Sequence, residues 1–291
     1  MKKSVIFLLS PFIVCLTSYG QENVITGKIK NAENNEPMAY VNIGIKNKTA
    51  GTVSTIEGMY KLRLNEKITA DDTVLFSHVG FVTQRYQISE LKNDHKTILL
   101  LPENVALDEV VISSKKIELR PKKIGRSSKG LGLLHLNFYS FYEKEVDDRL
   151  SKERGMKLKI RKNCRIDALS FNITSNDFSS LKFRLNFYKI EDGLPTDLIV
   201  KKNIIFDIKD GYLGWHQVDL TPYDIYFNDD IKEAAVTIQW LESVKAHENS
   251  KYFAISTAGS PTHTAYFRDK AMDHWTKGEQ NLSFYLDAMC E

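Results

Sequence analysis

In residues 181–190, LKFRLNFYKI, the side chains Leu181, Phe183, Leu185 and Phe187 alternate without interruption with Lys182, Arg184 and Asn186. A period of two puts the apolar set on one face of an extended strand and the polar set on the other, which a helix with 3.6 residues per turn cannot do. The chain is committed here to a sheet with one dry face, and such a sheet needs a second layer to cover it. Comparable runs follow at short intervals: ALSFNIT (168–174), GWHQVDL (214–220), AAVTIQWL (234–241), KYFAIST (251–257) and LSFYLDAMC (282–290). About nine such strands from residue 133 onward predict a jelly-roll-like β-sandwich, so the fold class is all-β. One segment breaks the rhythm. YEKEVDDRLSKERG (142–155) carries an i, i+4 pair, Glu145 with Arg149, and reads as a short helix or as an irregular covering segment.

The first part of the chain, residues 22–112, also reads as short strands between turn residues. Ala39, Val41, Ile43 and Ile45 share one parity, and after Gly58 the residues Tyr60, Leu62 and Leu64 alternate with Lys61 and Arg63. The order ITGKIKNAENNEPMAYVNIGIKNKTAGTVSTIEGMYKLRL, then DDTVLFSHVGFVTQRYQI, then LDEVVI resembles the carboxypeptidase-like regulatory domain. The matching positions are Gly27, Pro37, Val41, Gly51, Thr52, Gly58, Tyr60, Leu62, Leu75, Phe76, Gly80 and Phe81, closing on Leu107, Glu109, Val110 and Val111. The resemblance implies a transthyretin-like β-sandwich: an accessory module without catalytic residues, common on secreted envelope proteins of Gram-negative bacteria. Its glycines are expected at turns with positive φ. The same module precedes the plug of many outer-membrane transporters, but the roughly 180 residues that follow here are too few for a plug and a barrel of usual size.

Residues 1–20 read as a secretory signal peptide. Lys2 and Lys3 precede an apolar run, and Ser18 and Gly20 are small residues placed for cleavage before Gln21. The run is too short to span a bilayer, so no transmembrane segment is expected after cleavage. Cys15 lies inside it behind Ile13 and Val14, a poor context for lipid attachment. The expected organisation is a signal peptide at 1–20, the regulatory domain at 21–113, a basic linker at 114–132 and the jelly-roll-like domain at 133–291. In the linker, Lys115, Lys116, Arg120, Lys122, Lys123, Arg126 and Lys129 face only Glu118, with Pro121, Gly125 and Gly130 among them. This reads as a solvated connector, with contact to anionic lipopolysaccharide or polysaccharide as the functional alternative. With 40 basic and 37 acidic residues overall, the rest of the chain is acidic and a nucleic-acid surface is not indicated.

No motif for catalysis stands out. His78, His95, His135, His216, His247, His263 and His274 form neither H-E-x-x-H nor H-x-x-E, so no zinc site is expected. GLGLLH (131 is its first leucine) lacks the third glycine of a dinucleotide loop, GRSSKG lacks the lysine and hydroxyl of a phosphate loop, and no G-x-S-x-G occurs. The acidic turns at 174–177 and 227–230 could donate oxygens to a structural calcium ion, but turn formation by Asn and Asp explains them without a metal, and no cofactor is expected. For ligand binding, aromatic parity is informative. Trp240 shares parity with Ala234, Val236 and Ile238 and belongs to a core, whereas Trp215 shares parity with Gln217 and Asp219, and Trp275 lies in a polar loop. Trp215 and Trp275 are therefore the candidate sugar platforms, with Tyr212 and Tyr266 behind them. The alternative is that both tryptophans cover the core's edge. Expected partners are another envelope protein or a polysaccharide, with the protein exported to the periplasm, the outer membrane or the exterior.

Cys164 and Cys290 are the two cysteines left after signal cleavage. Cys290 has the inward parity of Leu282, Phe284, Leu286 and Ala288. Cys164 continues Met156, Leu158 and Ile160, but the parity of Leu169, Phe171 and Ile173 turns it outward unless a turn or bulge at Lys162 and Asn163 resets it. A disulfide and two free thiols both fit this pattern.

Overall fold

The strand cadence resolves into two β-sandwiches in a computed structural model that describes residues 23–91, 96–103, 118–129, 134–141, 143 and 145–291. The first contains β1 (Val24–Asn31), β2 (Asn42–Ile45), β3 (Gly51–Val53), β4 (Met59–Arg63), β5 (Thr73–Ser77), β6 (Gln84–Gln87) and β7 (Lys96–Leu100). β1 pairs antiparallel with β4 and parallel with β7, and this sheet faces a second in the order β3-β2-β5-β6. The alternating residues Ile29, Val41, Ile43, Leu62, Val74, Phe76 and Ile98 meet between them, each fully buried. The glycines divide by role. Gly58 and Gly80 adopt φ of 75° and 80°, as turns require, whereas Gly27 sits where a Cβ would come within 2.5 Å of the Lys96 carbonyl. The expected closing strand at 107–111 lies outside the described residues, as do residues 1–20.

The second sandwich is larger. Its strands begin with β8 (Arg120–Gly125), β9 (Leu134–Asn137), β10 (Glu153–Lys159), β11 (Cys164–Asn176) and β12 (Phe178–Glu191). They continue with β13 (Leu194–Leu198), β14 (Ile204–Lys209), β15 (Gly214–Asp219), β16 (Ile225–Phe227) and β17 (Glu233–Lys245). The last are β18 (Phe253–Gly259), β19 (Ala265–Arg268), β20 (Thr276–Gly278), β21 (Gln280–Leu282) and β22 (Phe284–Cys290). One sheet has the order β13-β12-β17-β10-β19-β20, with β14 also on β12; the other has β21-β18-β11-β22-β8, with β9 on β18 and both β15 and β16 on β11. The chain passes repeatedly from one sheet to the other between successive strands, the wrapping of a jelly-roll-like sandwich. Between the layers Trp240 is fully buried, and Phe138, Phe178, Phe183 and Phe253 surround it at ring separations of 5.3–6.0 Å.

Two expectations are corrected. The described residues of the segment 142–155 contain one 3-10 turn, Val146–Arg149, and then enter β10, so of its two readings the helix is excluded. Its charges are not a solvated helical face: Arg149, Lys152, Glu153 and Arg154 are all buried. Within the expected linker, residues 120–125 form β8, which pairs with β22 from Arg120↔Cys290 to Tyr285↔Gly125. An edge strand needs only one paired side and only Ile124 inside, so its lysines stay in water and its composition looks like that of a connector.

The two sandwiches are docked. Arg184, on the outward parity of β12, donates to the Tyr40 carbonyl at 2.7 Å and to Gln239 at 3.1 Å; Gln239 in turn donates to Asn42 at 2.9 Å. The Tyr40 hydroxyl donates to Glu242 at 2.7 Å, and Tyr40, Val53 and Leu241 share a small apolar cluster. Burying each of these side chains contributes about 1.5–3 kcal/mol. Gly51 and Gly44 lie so close to the loop after β19 that a Cβ would meet the Ala271 carbonyl oxygen at 2.5 and 2.1 Å. Gly51 thus serves close approach, where a positive-φ turn was expected.

Candidate functional site

The first sandwich covers part of the outer face of β12 and β17, and the loop after β19 adjoins it. The same outer face carries a polar cluster with Glu153 at its hub, fully buried. Glu153 accepts hydrogen bonds from Thr237, from Asn186 at 2.8 Å and from the Arg268 guanidinium at 2.5 Å. Trp275 closes this cluster: its ring packs edge-on to Tyr188 at 5.5 Å and carries the Arg268 guanidinium at 4.3 Å. Tyr266, a secondary platform candidate, is fully buried beside it. Trp275 is half-buried with Arg268 over its ring, so it acts as packing and a cation–π partner here.

Trp215 lies on the other sheet. Its strand β15 pairs with β11, with Asn172↔Trp215 and Ser170↔Gln217, while on the other side of β11 Ser170 faces Tyr285. This register places Trp215, Gln217, Tyr285 and Asp287 on one outward surface. Trp215 and Tyr285 meet edge to face at 5.2 Å, and Lys123 of β8 lies 4.1 Å over the Tyr285 ring. Lys123 also donates to Asp287 at 2.6 Å, which holds its ammonium above the usual lysine range, and Gln217 donates to the same carboxylate at 3.3 Å. Tyr212 stands exposed at one end, its hydroxyl bonded to the Trp215 carbonyl. The structure therefore separates the two candidate tryptophans onto opposite sheets. It surrounds Trp215 with an aromatic, an amide, a carboxylate and an ammonium: apolar ring surface beside hydrogen-bonding groups. Tyr285 and Asp287 escaped the sequence reading, although the outward parity of LSFYLDAMC marks both.

Cys164 and Cys290 are register partners on β11 and β22, joined by a disulfide with an S–S distance of 2.05 Å, and both are buried. The parity conflict is resolved by a bulge between Ile166 and Ala168, later in the strand than the turn considered at Lys162 and Asn163. Cys164 and Ile166 point inward before it, and Leu169 and Phe171 after it. In the acidic turns, the Asp177 carboxylate accepts the backbone N–H groups of Lys251 and Tyr252, and Asn176 caps Phe178. Among the described residues no group of three His, Cys, Asp or Glu converges as a metal site, and no helix is long and apolar enough to cross a membrane.

The comparisons with known proteins bear on the first sandwich. No curated protein matches the sequence. Among solved structures, a chain in the structure of infectious bursal disease virus Gx strain is similar at 9% identity and a TM-score of 0.29. The similarity spans 92% of this chain and 64% of the viral one, less than two thirds of its length. The model of the CarboxypepD_reg-like domain family matches residues 25–112, the span that builds the first sandwich. Those residues are a carboxypeptidase-like regulatory domain, docked on a second, larger β-sandwich.

Proposed function

We propose that this is an exported, non-enzymatic binding protein of a bacterial cell envelope, whose partner is another envelope component or a polymer. A domain of the regulatory family has no catalytic activity by itself, which supports a binding role for residues 25–112. The observation that carries the reading is the uncovered sheet face around Trp215, where Tyr285, Gln217, Asp287 and Lys123 surround a half-exposed indole. Recognition surfaces combine such aromatic anchors with nearby polar groups. The apolar run at residues 5–16, flanked by Lys2, Lys3 and small residues, supports export.

Affinity capture with the mature chain from its own envelope, read by mass spectrometry, tests partner and compartment together. Specific capture that is lost in Trp215→Ala supports the reading; capture unchanged by that substitution removes this face from it. The Trp215–Tyr285 pair also favours a second reading, glycan recognition, because a sugar's apolar face packs on an aromatic ring. A glycan array that shows binding by the mature chain and none by Trp215→Ala and Tyr285→Ala supports it, and an array without binding removes it.

A further inference from the structure

A second surface, away from Trp215, carries charge of one sign. A groove of about 640 Å³ opens between β8 and the end of β10. Lys122, Lys123, Arg126, Lys157, Lys159 and Arg161 line it, and neither Asp nor Glu does. The topology explains the opening. β8 pairs only with β22 among the described strands, and β19 pairs with β10 only over residues 153–156, with one further bond from the Lys157 N–H to the Thr264 carbonyl at 2.9 Å, so this side of β10 is unsealed from Leu158 onward.

Most of this charge is uncompensated. Lys123 turns to the outer face and pairs with Asp287, and Lys157 has Glu233 at 3.5 Å. Lys122 is opposite Ala288 and shares the inward parity of Ile124, but at the open edge it has no core to enter. Arg126 is held by neutral acceptors, the Asn281 carbonyl at 2.8 Å and the Ser128 hydroxyl at 3.2 Å, so it is positioned without being neutralised. Among the described residues Lys122, Lys159 and Arg161 form no ion pair. Like charges gathered in a concave surface focus a positive potential and attract anions.

Edge protection explains part of this set, because lysines and a proline on an edge strand discourage other strands from adding to it. It does not explain Lys159, the last residue of β10 in the opposite sheet, or Arg161 in the segment that follows it. Pro121, which has no N–H, and Gly125 at φ 115° also make β8 a poor template for an added peptide strand. The groove contains no Trp, Tyr or Phe on which a nucleobase could stack. Its neutral lining includes the apolar Met156 and Leu158 and, beside them, Ser127, Ser128, Thr262 and Asn281, small groups able to exchange hydrogen bonds with sugar hydroxyls. We propose that this groove binds an acidic polysaccharide through its carboxylate, phosphate or sulfate groups.

The test uses the mature chain and fluorescent oligosaccharides in anisotropy titrations: a sulfated heparin fragment, an oligogalacturonate and a neutral dextran. The acidic oligosaccharides are expected to bind and dextran is not, with affinity dropping about tenfold between about 50 and about 200 mM salt. The triple substitution Lys122→Ala, Lys159→Ala, Arg161→Ala should weaken binding about tenfold or more, with Lys189→Ala plus Lys201→Ala, exposed lysines outside the groove, as a control that leaves it unchanged. All three side chains are exposed, and a thermal melt matching the parent's, with Arg161→Glu alone as a second variant, separates lost binding from lost folding. Absence of binding to either acidic oligosaccharide overturns the proposal, as does unaltered binding by both variants. Tighter binding of oligothymidylate, poly-glutamate or anionic vesicles overturns it in favour of another partner class. Envelope capture that depends on Trp215 but without acidic-glycan binding leaves the binding-protein reading standing and removes this one.

Discussion

The two sheets of the second sandwich present similar chemistry outward and use it differently. On the β12-β17-β10-β19 sheet, Glu153 and Arg268 form a 2.5 Å ion pair at 0% and 12% side-chain exposure beneath Trp275. On the β11-β22 sheet, Asp287 and Lys123 form a 2.6 Å pair at 29% and 52% exposure beside Trp215. Distance hardly distinguishes the pairs; cover does. A carboxylate withdrawn from water must keep every partner it has, whereas one on an open face has water as a substitute. The covered face is therefore structural and the open one is available for ligands.

The sharpest way to break this comparison is to remove each carboxylate. Glu153→Ala strands Arg268, Asn186 and Thr237 in a buried site and should cost about 3–5 kcal/mol in urea unfolding. Asp287→Ala should cost about 1 kcal/mol or less. Equal losses would mean that cover does not set the difference.

Among the described residues no domain lies over the open sheet, but the Cys164–Cys290 bond joins its neighbouring strands. Cys164→Ser with Cys290→Ser should lower stability by about 2–4 kcal/mol. Intact mass after alkylation of denatured, unreduced protein should show no alkyl group on the natively exported chain; two groups would contradict the bond.

On the covered side, Gly51→Val directs a branched side chain at the Ala271 carbonyl, 2.5 Å from the position of its Cβ. The expected cost is about 1–3 kcal/mol, with increased hydrogen exchange confined to β2, β3 and the outer face of β17. Exchange increased equally on β11 and β22 would mean that the domain is not a selective cover.

The smallest effect is a pH dependence. His78 is pushed down to about 4, first by burial and then by the Arg184 guanidinium, while burial also lowers Arg184 itself to about 10. A histidine with a depressed native pKa binds its proton more readily when unfolded. Its contribution is complete above the unfolded value near 6.5 and is lost as pH falls toward 4. His78→Gln should flatten the stability curve in that window by about 1–2 kcal/mol relative to the parent. Parallel curves would place His78 outside the coupling.

What the sequence discloses follows from what alternation measures. Leu181, Phe183, Leu185 and Phe187 are all buried, Trp240 is in the core, and Trp215 faces outward, all as parity indicates. Alternation identifies the two faces of a strand, but not what later settles on the second face. Arg184 and Asn186 read as the polar face, and both are buried, Arg184 against the Tyr40 carbonyl of the first sandwich and Asn186 against Glu153. The start of β10 was illegible for the same reason: with both faces covered, residues 153–156 are all buried and show no contrast. β8 failed in the opposite sense, since an edge strand with one buried residue shows almost no pattern at all.

The bulge between Ile166 and Ala168 has a consequence for how the chain finds its register. With a side-chain period of two, pairing β11 and β22 without the extra residue would keep Leu169 and Phe171 inside and turn Cys164 to the outside, away from Cys290. The sulfur bond can then close only on a sheet that has accepted the insertion at the right place. Covalent closure therefore locks one strand alignment: a sheet slipped by one residue leaves Cys164 and Cys290 on opposite faces as two free thiols, while the correctly aligned one is sealed.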